Sequence, residues 1–243
     1  EPGHKISPGE TMILGSAGAK ALDEQLTAVL HKPVGYVSAQ PDPVQTPAAR
    51  LVTKANLVGK APKLPGAKTQ LAPLGRLDMD SRGLLLLSED GVLAKAVIGP
   101  NSELDKEYLV TVQGQVTDAA IGKLRHGLSL DGRRLKAAKV DQLGPGRLRF
   151  VLREGRNRQI RRMCELVGLV VIDLFRVRIG PLQLDKLPEG KWRALTGEER
   201  AALIKASKTS PGASGGSRAR PASARSRGKS RGGSARAGPP RKR

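Results

Sequence analysis

The chain has 243 residues, and its 43 lysine and arginine residues against 22 acidic residues give a formal net charge of +21. This balance favours nucleic acid as the partner, ahead of an acidic membrane surface. The single cysteine and three widely spaced histidines argue against a disulfide framework and a metal site, and no apolar run approaches the roughly 20 residues of a membrane span. Because no signal peptide is evident, we expect a cytoplasmic protein.

Composition divides the chain into three regions. Residues 1–20 are too short to fold alone. The stretch KISPGETMIL resembles the last hairpin of an S4 RNA-binding domain, so we expect either a flexible leader or the remnant of such a domain. Residues 21–207 carry the apolar patterns of a folded body. Residues 208–243 are rich in Ser, Arg, Gly and Pro, with eleven basic residues and no acid, so we predict a disordered tail. The remaining net charge of +10 lies in residues 1–207, so the body is basic as well.

The body opens with a predicted strand at Leu26–Leu30. The segment HKPVGY follows, where Pro33 and Gly35 break any helix and predict a loop. We predict a short helix near residues 47–53 and a long basic loop over residues 54–69.

Residues 75–91, GRLDMDSRGLLLLSEDG, are the most informative stretch. Four leucines, Leu84–Leu87, lie between a glycine and an acidic turn, which predicts a short strand buried on both faces. The preceding polar loop carries Asp78, and the end of a rigid strand is where a scaffold can aim a side chain into a cleft. Taken alone, the loop also fits an Asp78 that caps a turn beside a solvated Arg76.

Further elements follow from periodicity, caps and turn residues. We predict helices at 92–98, at 118–125 after the N-cap Thr117, and at 197–206 after the capping box of Thr196 and Glu199. Predicted strands lie at 106–113, 128–130, 136–143, 147–153, 170–179 and 182–184.

Residues 155–168, GRNRQIRRMCELVG, form the second informative stretch. Their apolar residues recur at helical spacing, which predicts an amphipathic helix. Its first turns carry four basic residues, Arg156, Arg158, Arg161 and Arg162. Because positive charges at a helix N-terminus oppose the macrodipole, this cluster favours anion binding, although a solvated basic face is the simpler alternative.

These two stretches carry a family resemblance. Residues 75–91 resemble the catalytic motif GRLDxxSxGLLLLTxDG of pseudouridine synthases of the RsuA/RluB/RluE/RluF family, and residues 155–168 resemble its GRxRQIRRM motif. The KPxG segment, KEYLVTV, LFRVRIGPLQL and LPEGKWRALT extend the resemblance over about residues 21–206. The combination is most similar to the F-type synthases, which act on large-subunit ribosomal RNA.

The resemblance implies an α+β fold, the pseudouridine synthase catalytic fold, with a mainly antiparallel mixed sheet flanked by helices and crossed by a basic cleft. It implies isomerisation of a specific uridine to pseudouridine in structured RNA, with 23S (large-subunit) ribosomal RNA or its assembly intermediate as the expected partner. No cofactor, metal or membrane partner is expected, and we expect a monomer.

The resemblance also implies roles for particular residues. Asp78 matches the catalytic aspartate, and Tyr108 matches the active-site tyrosine. Such a tyrosine can stack on the isolated base or assist proton removal at C5. Arg161 matches the arginine that pairs with the aspartate, and its predicted position at the border of the apolar stripe agrees. Whether Asp78 attacks C1′ or removes the C2′ proton stays open. The expected RNA contacts are Lys32, Arg76, Arg82, Lys106, Arg156, Arg158, Arg162 and Arg176.

Two other classes of function compete. A glycosidase would use two carboxylates, with Asp78 joined by Asp80 or Glu89. However, sugar sites are usually rich in aromatic residues, which are only 2% of this chain. A non-catalytic RNA-binding or ribosome-assembly protein would explain the charge equally well, but it needs no carboxylate in an RNA cleft.

Overall fold

The computed structural model describes residues 25–39, 41–66 and 69–208. In this part of the chain the strands are β1 Thr27–Lys32, β2 Tyr36–Val37, β3 Thr46–Pro47, β4 Ala72–Pro73, β5 Arg82–Ser88, β6 Lys106–Gln113, β7 Ser129–Leu130, β8 Arg133–Arg134, β9 Lys139–Gly144, β10 Arg147–Leu152, β11 Val170–Ile179, β12 Leu182–Gln183 and β13 Trp192–Ala194. The α-helices are α1 Gly91–Ile98, α2 Asp118–Arg125, α3 Gln159–Glu165 and α4 Gly197–Lys208, and two 3-10 turns span Ala48–Leu51 and Lys54–Asn56.

One large sheet organises the described residues. Its strands follow the order β13-β1-β5-β11-β6-β10-β9, with β12 added to β11 and β4 added to β5. Only the β5–β11 pair in this sheet is parallel, and the other pairs are antiparallel. The predicted α+β class with a mainly antiparallel mixed sheet is therefore confirmed.

The leucine run forms the centre of this sheet. Strand β5 is paired on both sides, and all four leucines are fully buried, as predicted. Leu85 and Leu87 pack into one apolar cluster and Leu84 and Leu86 into another, since side chains alternate across a strand. Burial of both faces explains why this strand carries an unbroken apolar run.

The helices cover the two faces of the sheet. Leu93 of α1 and Leu203 of α4 pack with the Leu84 and Leu86 side chains. Leu124 of α2 and the apolar residues of α3 belong to the opposite cluster. The predicted caps are confirmed: Thr117 accepts from the Ala120 amide at 3.1 Å, and the Thr196 and Glu199 side chains accept from each other's backbone amides.

Two predicted helices differ from the structure. The segment near residues 47–53 forms only a 3-10 turn. Helix α3 is seven residues long, because Arg158 has a left-handed backbone (φ 47°, ψ 34°) at its N-cap and the regular helix starts at Gln159. The predicted leader and tail lie outside the described residues, except that Lys208 ends α4. Within the described part of the chain, no helix has the length and apolar composition needed to span a bilayer.

Candidate active site

The loop of residues 76–81 carries Asp78 and leads directly into β5. All six of its backbone carbonyl groups accept a hydrogen bond, at distances of 2.7–3.2 Å. The donors, in order from residue 76 to residue 81, are the Arg176 guanidinium, the Ser38 hydroxyl, the Ser81 amide, the Gly35 amide, the Arg161 guanidinium and the Lys32 ammonium. A loop whose backbone is bonded at every carbonyl can hold the Asp78 carboxylate in a fixed place.

Three of these donors are buried cations, and we call Lys32, Arg161 and Arg176 the loop clamp. Their exposed fractions are 0%, 7% and 2%. Each bonds a second backbone carbonyl as well, at Pro33, Val171 and Leu84 respectively. The clamp therefore joins strands β1 and β11 and helix α3 to the Asp78 loop.

The ammonium of Lys32 has a shifted pKa. Burial lowers its pKa to about 8, and the negative charges of Asp78 and Asp80 oppose that shift. Because the side chain is inaccessible, the prediction that Lys32 contacts RNA is wrong. Lys32 instead holds the loop through its hydrogen bond to the Ser81 carbonyl oxygen.

A cavity of about 520 Å³ lies beside the loop. Asp78 and Tyr108 both line it, which brings together the two side chains that the sequence motifs separate by 30 positions. The charged lining comprises seven basic side chains and two acidic ones among the described residues. They are Arg76, Lys106, Lys136, Arg153, Arg156, Arg158, Arg176, Asp78 and Glu154.

The predicted ion pair of Arg161 with Asp78 is wrong. Arg158 is the arginine near Asp78, with Nη1 3.7 Å from Oδ2, and the Asp78 side chain is 26% exposed. Arg161 instead contacts Asp80, with Nη2 2.8 Å from the carbonyl oxygen and Nε 3.3 Å from Oδ2. The prediction assumed a regular helix that already included Arg158. The left-handed Arg158 instead precedes the helix, so its side-chain direction does not follow from helical spacing.

Arg158 also makes a bidentate contact with the Asp80 carboxylate, at 3.1 and 3.0 Å. Partial burial raises the pKa of Asp80, but the Arg158 hydrogen bonds and the charge of Arg161 lower it by more. Asp80 thus stays ionised and ties the start of α3 to the loop. Arg158 therefore has a partner within the protein, and its contact with RNA stays a prediction.

Three other predicted RNA contacts are engaged within the protein. Arg82 makes a bidentate ion pair with Asp173 and lies over the Phe175 ring, 4.1 Å from its centre. Arg162 pairs with Asp131. The Arg156 guanidinium, although it lines the cavity, donates to the carbonyl groups of residues 130, 133 and 134.

Two basic residues at the cavity were not predicted. Lys136 and Arg153 are exposed and line the cavity, and neither has an ion-pair partner among the described residues. The only hint of this role in the sequence is that Arg153 lies two residues before the GRNRQIRRM segment. Lys136 reaches the cavity because its backbone amide bonds Glu154, a contact that spans 18 residues.

Among the described residues, no group of three or more His, Cys, Asp and Glu side chains could hold a metal ion. The single cysteine, Cys164, is buried in the core, and burial raises the pKa of its thiol to about 12.

The family model for RNA pseudouridylate synthase matches residues 26–166, which contain both the Asp78 loop and the arginine-rich segment. The chain belongs to this family. Curated relatives confirm the predicted RsuA/RluB/RluE/RluF group and its F-type. One of them, the dual-specificity RNA pseudouridine synthase RluF of Salmonella typhi, is 36% identical over 75% of this chain and 59% of its own length.

Further relatives give the same result. RluF of Escherichia coli O6:H1 is 35% identical over 84% of this chain and 66% of its own length. Ribosomal large subunit pseudouridine synthase B of Shigella flexneri is 39% identical over 71% of this chain and 58% of its own length. A crystal structure of a pseudouridylate synthase superposes with a TM-score of 0.64 at 30% identity and covers 74% of both chains. This chain therefore spans about two thirds or less of the length of these RluF relatives.

Proposed function

We propose that this protein isomerises uridine to pseudouridine in RNA, with Asp78 as the catalytic carboxylate. The observation that supports it best is the Asp78 loop itself. Six hydrogen-bonded carbonyl groups hold one carboxylate at a basic cavity that also contains Tyr108. A protein that only bound RNA would gain nothing from an acidic group placed among seven cations.

The proposed chemistry needs few groups. The reaction breaks the bond between C1′ and N1, turns the base and forms a bond between C1′ and C5. The proton on C5 then leaves and N1 gains one, so atoms and electrons balance without a cofactor. Asp78 either attacks C1′ or takes the C2′ proton. Tyr108, which is buried in the cavity wall, would stack on the detached base, worth about 1–3 kcal/mol.

We propose ribosomal RNA as the substrate, in the large subunit or its assembly intermediate. The names of the RluF and large-subunit relatives support this class. A uridine in folded RNA must leave its stack to reach the cavity, at a cost of a few kcal/mol. Exposed Arg76, two residues before Asp78, would fill the vacated space, and the exposed cavity cations Lys136 and Arg153 would contact phosphates.

The proposal extends to the rest of the chain. Residues 21–207 would form the catalytic domain, and the basic tail of residues 208–243 would add sequence-independent affinity for RNA. The segment of residues 1–20 would belong to an S4 RNA-binding domain, whose last hairpin it resembles. We propose that the protein works as a cytoplasmic monomer.

The glycosidase alternative fits the cavity less well. Glu89 lies beyond the far end of β5 from Asp78, where it accepts from the Leu26 amide and pairs with Lys63. Asp80 is occupied by two arginines. Neither carboxylate is placed as the second acid of a glycosidase.

The decisive test is Asp78→Asn. Because the substitution removes the charge and keeps the shape, we expect the fold and RNA affinity to persist and pseudouridine formation to fall at least about a thousandfold. Pseudouridines in ribosomal RNA should be mapped after incubation with each protein. The control is Asp131→Asn, which removes a carboxylate that is 70% exposed and absent from the cavity lining.

Activity of Asp78→Asn within tenfold of the unsubstituted protein would contradict the assignment. Absence of pseudouridine with the unsubstituted protein, combined with tight RNA binding, would favour the non-catalytic alternative.

A further inference from the structure

Arg176 occupies a position that the sheet fixes closely. It lies opposite Gly83 in the single parallel strand pair of the sheet. Gly83 has a φ of +115°, and a Cβ atom there would collide with the carbonyl oxygen of Arg176. Only glycine allows this approach, so the backbone that carries the Arg176 side chain cannot shift freely.

The guanidinium of Arg176 is only partly satisfied. Nε donates to the Leu84 carbonyl oxygen at 2.8 Å, and Nη1 donates to the Arg76 carbonyl oxygen at 3.2 Å. Nη2 is buried and has no acceptor among the described residues. A buried, unpaired donor of a charged group costs free energy, and the two fixed bonds prevent it from turning towards solvent.

The surroundings of Nη2 offer no carboxylate. Arg176 forms no ion pair with a described residue, although it lines the cavity that holds Asp78 and Tyr108. Its neighbour there, Lys106, is also a cation, and burial together with the charge of Arg176 lowers the pKa of Lys106. No described residue supplies an acceptor for Nη2, and the cavity that Arg176 lines is the space from which a bound molecule can supply one.

The chemical identity of that acceptor follows from accessibility. Arg176 is 2% exposed, whereas Arg76, Lys136 and Arg153 are exposed around the same cavity and suit the phosphates of an RNA backbone. In the proposed function, only the uridine that leaves its stack enters the cavity. Its base presents two carbonyl oxygens, O2 and O4.

We propose that Nη2 of Arg176 donates a hydrogen bond to a carbonyl oxygen of the uracil in the cavity, which makes Arg176 a further substrate-contacting residue. The proposal rests on the proposed function. By either route at Asp78, the electron pair of the C1′–N1 bond leaves with the base. The resulting uracil anion carries its charge largely on O2 and O4, so a fixed cationic donor there stabilises the departing base.

The test uses RNA oligonucleotides that contain the mapped target site. The target position carries uridine, pyrimidin-2-one riboside, which lacks O4, or pyrimidin-4-one riboside, which lacks O2. Kd values are measured with Asp78→Asn protein, so that the RNA stays unconverted. We expect one analogue to bind about tenfold or more weakly than uridine, and Arg176→Gln in the same background to remove that difference.

Arg153→Gln is the matched control, since Arg153 lines the same cavity but is exposed. It should weaken all three RNAs by the same factor, as a phosphate contact would. An Arg176→Gln effect equal on all three RNAs would overturn the inference and assign Arg176 to phosphate binding or to the loop alone. Equal binding of the three RNAs by the Asp78→Asn protein would also overturn it, and this comparison needs no Arg176 variant to fold.

The two proposals fail differently. If the unsubstituted protein forms no pseudouridine in the uridine oligonucleotide or in ribosomal RNA, the proposed function fails and the inference falls with it. If pseudouridine forms but neither analogue is discriminated, only the role of Arg176 is wrong.

Discussion

Two sets of basic side chains surround the Asp78 loop. The loop clamp, Lys32, Arg161 and Arg176, is buried, and its donors contact backbone carbonyl groups. The exposed cavity cations, Arg76, Lys136 and Arg153, have no ion-pair partner among the described residues. Both sets are equally basic in the sequence, yet one stabilises a loop and the other is free to meet phosphates.

The comparison shows that charge alone does not identify an RNA contact. A buried cation loses its hydration, and it recovers that free energy only through hydrogen bonds inside the protein. An exposed cation keeps its hydration and attracts phosphates at a distance. The two sets should therefore respond differently to substitution, the clamp through stability and turnover and the exposed set through salt-dependent affinity.

The largest effect is expected from Arg161→Ala. The change leaves the carbonyl groups of Asp80 and Val171 without donors, so the free energy of unfolding should fall by about 2–5 kcal/mol. The displaced loop should lower kcat at least about a hundredfold while RNA affinity changes little. Urea denaturation and single-turnover kinetics would measure both.

Arg162→Ala serves as the control for stability, because Arg162 lies on the same helix but pairs with the exposed Asp131. Its denaturation midpoint should stay close to that of the unsubstituted protein. Normal turnover by Arg161→Ala would show that the clamp does not position Asp78.

The next effect is the pH dependence contributed by Lys32. Its pKa is lowered to about 8 in the folded protein from 10.5, so below pH 8 both states carry the proton and the contribution is constant. Between pH 8 and 10.5 the unfolded chain binds more protons, so the free energy of unfolding rises with pH, by roughly 3 kcal/mol in total.

Denaturation of the unsubstituted protein and of Lys32→Met over this pH range tests the linkage, because other titrating groups cancel in the difference. Stability curves that run parallel between pH 8 and 10.5 would mean that Lys32 is not the buried ammonium described above.

The smallest effect is expected from the double substitution Lys136→Gln with Arg153→Gln. Removal of two phosphate-facing charges should weaken RNA binding by roughly tenfold and reduce the slope of log Kd against log salt by about 1.4–1.8. The denaturation midpoint should not change, since both side chains are exposed. An unchanged salt slope would remove these residues from the RNA interface.

The sequence determined the elements whose signal is local. The buried leucine run, the alternating strand at residues 106–113 and the caps at Thr117 and Thr196 were predicted correctly, because periodicity and capping depend on neighbours in the chain. The two long motifs also identified the family. Residues of both motifs line one cavity in the fold, and the sequence could not predict that contact.

Tertiary structure alone decided what each cation does. Arg158 and Arg161 are three residues apart in one motif, yet Arg158, the left-handed N-cap of α3, lies near Asp78, whereas Arg161 inside the helix bonds the Asp80 carbonyl. The Lys32 ammonium is inaccessible because β1 lies inside the sheet. Burial and hydrogen-bond partners depend on contacts between residues 100 or more positions apart, such as Arg176 with Arg76 and His31 with Leu187, and no local pattern encodes such contacts.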